Sequence, residues 1–384
     1  MVEAVRAGRS QRGVARELGV RLGTVQYWVG RAGGERLDDV DWADRLRGAR
    51  RAANRTDGAT EDMVLSVRQY LSEYSALGEW GAEAIRRELV ERAEASVPSV
   101  RTIGRILDRS GVLDGRRRLR RPAPPRGWYV PEVARGEAEL DAFDTIEGLV
   151  IEGGRSVEVL TGMSLHGGLP AAWPEGQISA KNAVQRLVWH WREFGLPAYA
   201  QFDNDTVFQG AHQFPDTVGR VARLCLALEV VPIFTVPREH GFQNPLESFN
   251  GRWQAKVWRR WHYGSRTELR RRSVAYIGAL RTRSAARIDA APDRRAFPDP
   301  WRLNLKAPLH GRILYLRRTD DRGCLDMLGH RFPVDPQWPG RLVRAELDLD
   351  AGLIRLFALR RRDPTHQPLL KEIAHVLPNR PFRG

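Results

Sequence analysis

The chain has 384 residues, 42% of them apolar, with a formal net charge of +15 and a pI near 10.6. That length predicts two to four domains with packed cores, and the surplus charge calls for a polyanionic partner, nucleic acid first, over a neutral or acidic one. Cys225 and Cys324 lie far apart with no Cys-x-x-Cys pair, the nine histidines show no paired zinc spacing, and no stretch approaches the ~18 apolar residues of a membrane span, so disulfide scaffolds, zinc ribbons and membrane proteins are disfavoured. With no apolar signal core at the N-terminus, a soluble protein of a reducing, intracellular compartment is expected. Arginine supplies nearly all the positive charge, the lysines being Lys181, Lys256, Lys306 and Lys371; arginine suits bidentate contacts to phosphate and guanine.

Residues 1–33 read as a helical unit. Ser10 can cap a helix over Gln11–Leu18, with Val14, Ala15 and Leu18 on one face. Gly19 ends it, and a second helix runs from about Leu22 or Thr24 to Arg31, carrying Val25, Trp28 and Val29. Helix, glycine-containing turn, helix is the helix-turn-helix pattern, which would present Arg21, Thr24, Gln26 and Tyr27 to the major groove or its phosphates. Residues 34–59 read as a charged linker. Residues 60–114 read as a second helical unit, with helices over Glu61–Tyr74 and Trp80–Ala93 and a third opened by Ser99 and closed by Gly111. Its outward residues Arg101, Thr102 and Arg105 would face DNA. Residues 115–135 hold the run Arg116–Arg121 followed by Pro122, Pro124 and Pro125, a basic, proline-broken linker.

Residues 136–265 change period. Glu139–Ile146 and Ser156–Met163 read as strands joined by a Gly153-Gly154 turn. Ala180–Phe194 is an amphipathic helix stopped at Gly195. Ala198–Phe202 is a short strand ending at Asp203, Asp216–Leu228 a helix, Val230–Thr235 a strand, and a long helix opens at Pro245 or Leu246. This is a mixed α/β domain. Residues 266–300 form a basic helical segment. Residues 305–384 hold short strands at close spacing separated by turn residues, which suggests a small barrel.

Three acids stand out. Asp203 sits in Asp203-Asn204-Asp205 with Phe208 beyond; Glu247 follows 44 positions later in Glu247-Ser248-Phe249-Asn250-Gly251, with Asn250, Gln254 and Trp258 on its helical face. The first acid is Asp144 or Asp141, which are three apart on one strand and so point to opposite faces. Carboxylates converging from distant segments can hold two divalent ions roughly 3.5–4 Å apart, which suits phosphodiester transfer, and magnesium prefers such oxygen ligands.

These motifs resemble the catalytic core of the DDE transposases and retroviral-type integrases, the segments 14–28 and 98–107 resemble the helix-turn-helix units of such enzymes, and 305–384 is similar to the SH3-like β-barrel that follows the core in many of them. The resemblance implies a multidomain α + α/β + β protein with a ribonuclease-H-like core. It also implies that Asp144, Asp203 and Glu247 are catalytic and bind two Mg²⁺ or Mn²⁺ ions. The interval to Val157–Thr161 favours Asp144 over the alternative Asp141. The family usually has Gly where this chain has Asp205, which adds a carboxylate beside the site. Arg252, Lys256 and Arg259, beyond the glutamate, are the substrate-contacting candidates. The implied function is a bacterial-type insertion-sequence transposase acting on terminal inverted repeats and target DNA as a homo-multimer in the nucleoid. A catalytically decayed or domesticated DNA-binding protein is the alternative, and a hydrolytic nuclease a third reading.

Overall fold

The chain divides into two units, Met1–Asp62 and Met63–Gly384. The structure is a computed structural model that describes residues 1–43, 56–113, 126–210, 214–239, 241–360, 366–378 and 382. The basic run Arg116–Arg121 and the prolines after it lie outside the described residues.

The first unit contains α1 (Val2–Arg6), α2 (Gln11–Glu17) and α3 (Leu22–Ala32). Ser10 caps α2 as expected, its hydroxyl accepting from the Gly13 amide at 3.1 Å. Val14, Ala15 and Val25 make the buried seam between α2 and α3. In the second unit α4 (Gly58–Tyr74, most of it in this unit), α5 (Ala82–Glu91) and α6 (Val100–Arg109) close on Val64, Val67, Leu71, Ile85, Leu89, Ile103 and Ile106. Ser99 caps α6 by accepting from the Thr102 amide at 3.2 Å.

The rest of the second unit is built on one sheet. In chain order its elements are α7 (Pro131–Ala134), β1 (Leu140–Ile151), β2 (Arg155–Ser164), β3 (Pro170–Glu175), α8 (Ala180–Phe194), β4 (Tyr199–Phe202), α9 (Thr206–Gln209), α10 (Arg220–Ala227), β5 (Val231–Phe234), α11 (Asn244–Lys256), α12 (Arg266–Arg283), α13 (Ala285–Asp289), β6 (Arg312–Arg318), β7 (Cys324–Met327), β8 (His330–Pro333), β9 (Leu342–Asp348), β10 (Leu353–Ala358) and β11 (Leu369–Ala374). The nine-stranded sheet runs β11-β10-β9-β6-β5-β4-β1-β2-β3, and β7-β8 form a separate hairpin. β1, β2 and β3 are antiparallel, whereas β4, β5 and β6 continue parallel from β1. One face packs Phe143, Phe202 and Phe234 with Leu187 and Trp191 of α8. The other packs Leu140, Ala142 and Ile146 with Leu246, Phe249 and Trp253 of α11 and Tyr276 and Ile277 of α12.

Three expectations change. β3 is absent from the sequence reading because Pro170 and Pro174 argue against a strand; at a sheet edge, paired only to β2, prolines are tolerated. The helix expected from Asp216 begins only at Arg220, because Asp216 is left-handed at φ 59° and Gly219 is extended before it. A Cβ on Gly219 would come within 2.7 Å of the Gln209 backbone, so that approach requires glycine. The expected small barrel over 305–384 is not a separate closed sheet among the described residues. β6 pairs with β5 at Ile233–Leu314 and Phe234–Tyr315, and β9, β10 and β11 extend the core sheet from there. The run Ile313–Arg317 is buried on both faces; such a run marks an interior strand, but local pattern alone does not say whose interior.

Asp141 and Asp144 occupy opposite faces of β1, as the strand period demands. Asp141 points to the α8 face. It is buried, accepts from Trp191 Nε1 at 3.1 Å and from Arg294 at 3.0 Å, and lies 3.9 Å from His190 Nε2. Burial would raise its pKa, but the Arg294 guanidinium outweighs burial and holds the carboxyl below its usual range. Asp141 is thus a structural anchor between β1, α8 and the segment after α13. Replacing it with alanine leaves the largely buried Arg294 with only the charge of Glu139 and no paired carboxylate, and a loss of about 3–5 kcal/mol in denaturant-derived stability is expected. A loss under about 1 kcal/mol would show that the pair does not anchor the sheet.

Candidate active site

Asp144 sits on the opposite face of β1, toward α11. Its Oδ2 accepts from Asn250 Nδ2 at 2.9 Å, its Oδ1 from the Thr145 amide at 2.8 Å, and its backbone carbonyl accepts from Thr161 on β2 at 3.0 Å. Asn250 lies one turn beyond Glu247 on α11, so one helical face carries both the glutamate and the amide that orients Asp144. α11 is held against the sheet by Leu246, Phe249 and Trp253, all fully buried.

Asp203 follows directly on β4. Its Oδ1 accepts from the Asp205 amide at 3.0 Å. Asp205 caps α9, its side chain accepting from the Val207 amide at 2.7 Å. An aspartate is well suited to that position, since a carboxylate at a helix start satisfies amides that glycine would leave open. Asn204 donates to the Thr235 carbonyl at 2.7 Å and accepts from Arg317 at 2.9 Å. Arg317 is buried, also donates to the Thr235 carbonyl at 2.9 Å, and has its pKa lowered to about 10 by burial. β4, β5 and β6 are thereby tied together at the end of the strand that delivers Asp203. Glu247 is in the first turn of α11, where its Oε1 accepts from the Gly241 amide at 3.3 Å.

The electrostatics link these three acids. Asp144 has its pKa raised to about 6, first by burial and then by the negative charges of Asp203 and Glu247, against hydrogen bonds from Thr145 and Asn250. Asp203 is also raised, by burial first, with Asp205 and Glu147 adding to it. Asp144 and Asp203 are half-buried and Glu247 is exposed; carboxylates whose pKa values are raised by burial and by neighbouring negative charge favour a cation or a proton. The donors are hard oxygens, and they fit magnesium or manganese better than a softer ion. Asp141, the alternative first acid, is on the other face and already has its cation in Arg294.

The DNA-binding candidates fall in different places. Arg21, Thr24, Gln26 and Tyr27 are exposed at the start of α3 in the first unit, and Arg101 and Arg105 are exposed on α6, with Thr102 half-buried beside its cap. Arg252 and Arg259 are exposed, whereas Lys256 donates to the Gly78 carbonyl at 2.6 Å and lies over the Trp80 ring. Sequence reasoning missed a cavity of about 300 Å³ at the start of α11, floored by Trp128 and Phe242 and flanked by Arg126, Arg252 and Arg287. It also missed Arg317, which lies in an apolar strand and gives no local signal, and Glu147 in the β1 bulge, whose charge acts on Asp203.

No family model and no curated protein matches this chain. Among solved structures, it is similar to a chain of the simian T-cell lymphotropic virus intasome in complex with the PP2A regulatory subunit B56 gamma, at 13% identity and a TM-score of 0.35, covering 75% of this chain and 91% of that one. It is also similar to the catalytic core domain of BIV integrase (13% identity, TM-score 0.28, 37% of this chain and 82% of that one). A third is the HTLV-2 integrase catalytic core domain in complex with magnesium (9% identity, TM-score 0.25, 37% and 74%). Likeness of that degree carries no functional argument, which rests instead on the site's geometry.

The raised Asp144 pKa sets a pH dependence. Between the ordinary value of 3.8 and about 6 the folded chain holds a proton that the unfolded chain has lost. Stability of the metal-free protein therefore falls, from this group, as pH rises through that window, and the deficit persists above it. Asp144→Asn removes the deficit, so the variant is expected to melt higher than the parent at neutral pH without metal. Equal melting temperatures for the two proteins across pH 4–7 would contradict the repulsion.

Proposed function

We propose that this chain is a transposase or integrase of the DDE type, a polynucleotidyl transferase that cuts DNA at element ends and joins them to target DNA. The observation that supports the reading is the electrostatic coupling at Asp144 on β1, whose pKa is raised first by burial and then by the charges of Asp203 at the end of β4 and Glu247 on α11. The strand order β3-β2-β1-β4-β5, antiparallel and then parallel, agrees with the ribonuclease-H-like core that such chemistry uses. The net charge of +15 agrees with a nucleic-acid substrate.

Asp144, Asp203 and Glu247 would hold the Mg²⁺ or Mn²⁺, two ions per site in this proposal. Such ions, when bound, supply Lewis-acid stabilisation of the attacking and leaving oxygens. Asn250 orients the Asp144 carboxylate, and the Asn204–Arg317 pair holds the turn that carries Asp203. In cleavage, water attacks the phosphorus and the 3′-oxygen leaves with a proton. In joining, that 3′-hydroxyl gives up its proton and attacks a target phosphodiester, whose own P–O3′ bond breaks as the target's 3′-oxygen leaves with a proton. Arg126, Arg252 and Arg287 would line a phosphate track beside the site. Arg21, Thr24, Gln26 and Tyr27, with Arg101, Thr102 and Arg105, would read the terminal inverted repeats. Pairing two ends implies a homo-multimer. With no helix among the described residues long and apolar enough to cross a membrane, a nucleoid location is part of the same proposal.

The second reading, a decayed or domesticated DNA-binding protein, is separated from the first by catalysis. Strand transfer should appear with Mg²⁺ or Mn²⁺ on the element's own ends, located from inverted repeats in the flanking DNA. Asp203→Asn and Glu247→Gln should each reduce it to background while leaving end binding intact. Activity that survives either substitution would sink the mechanism, and end binding without metal-dependent cleavage would favour the decayed reading.

A further inference from the structure

Away from the carboxylate site, Asp216, His330 and His375 bring one ligand atom each within 4.8 Å of one another. His330 Nε2 is 3.0 Å from Asp216 Oδ2, and His375 Nε2 is 2.9 Å from Asp216 Oδ1. The imidazoles stand 5.4 Å apart, and the Phe332 ring meets both edge-on. The residues come from three segments, 114 and 159 positions from Asp216, so no spacing in the sequence could have announced them.

The backbone builds this cluster deliberately. Leu328 and Gly329 form the two-residue turn between β7 and β8, both at positive φ (53° and 74°), as a type I′ hairpin requires. The Leu328 carbonyl accepts from the Asp216 amide at 2.9 Å, and a Cβ on Gly329 would meet Pro215 at 2.9 Å. The hairpin therefore seats His330 beside Asp216. His375, just past β11, donates its amide to the Gly352 carbonyl at 2.8 Å, which places its ring on the other oxygen. The Asp216 and His375 side chains are largely buried, and His330 is the more open of the three.

We propose that Asp216, His330 and His375 form a binding site for a zinc-class divalent ion, with a fourth position open to water. Two imidazoles and a carboxylate are a zinc donor set. Four-coordinate bonds of ~2.1 Å would space the ligand atoms by about 3.4 Å, between the 2.9 and 3.0 Å His–Asp approaches and the 4.8 Å within which all three ligand atoms lie. Imidazole also selects zinc over magnesium, which separates this site from the all-oxygen one. The ion would tie the loop before α10, the β7–β8 hairpin and the end of β11 into one piece.

The test uses the untagged full-length chain carrying Asp144→Asn, Asp203→Asn and Glu247→Gln, which removes the other carboxylate ligands. Equilibrium dialysis against Zn²⁺ in excess Mg²⁺ should give one bound Zn²⁺ per chain. Adding His330→Gln and His375→Gln should abolish it. In the parent chain, Co²⁺ should give the visible ligand-field bands of low-coordinate, nitrogen-ligated cobalt, a readout that needs no variant to fold. Zn²⁺ uptake that is absent from the triple variant, uptake that persists in the histidine variants, or the absence of those low-coordinate Co²⁺ bands from the parent chain would each overturn the proposal.

Discussion

The two-residue period of β1 separates Asp141 from Asp144, and the molecule uses the two carboxylates in opposite ways. Asp141 is neutralised in the core by Arg294, accepts a hydrogen bond from Trp191 and holds the sheet to α8. Asp144, on the other face, receives Asn250 and the fields of two more acids. A one-residue slip of β1 would exchange the faces, burying Asp144 and sending Asp141 toward α11. The registers with β2 and β4 prevent that slip, since Asp141 pairs with Ser164 on one side and Ala200 on the other.

The remaining parts of the site follow from that placement. α11 is seated by Leu246, Phe249 and Trp253, and its polar face then brings Glu247 and Asn250 toward Asp144. The turn after β4 delivers Asp203, and its geometry is secured by the Asp205 cap and the Asn204–Arg317 pair. Half-buried negative charges of this kind are costly without a counter-charge.

Much of this was legible in the chain. The apolar periods placed β1, β2, α8 and α11, and the Asp203-Asn204 turn and the Glu247 helix face could be read from neighbouring residues alone. The choice between Asp144 and Asp141 was also set up by periodicity, but the facing of β1 depends on which helix covers which side, a tertiary fact. β3 was hidden by its prolines. β6 to β10 were recognised as strands and β11 was not, and the attachment of β6 to β5 was invisible because strand pairing over such separations leaves no local mark. Arg317 and the histidines at 330 and 375 were missed for the same reason, since their partners are distant in the chain.

The central claim is that Asp144, Asp203 and Glu247 together hold divalent metal. The most direct measurement is anomalous diffraction from crystals of the chain soaked in Mn²⁺. Manganese density bound by the carboxylates of all three residues is the predicted result. Well-occupied manganese elsewhere in the core, with none at these three acids, would contradict the account.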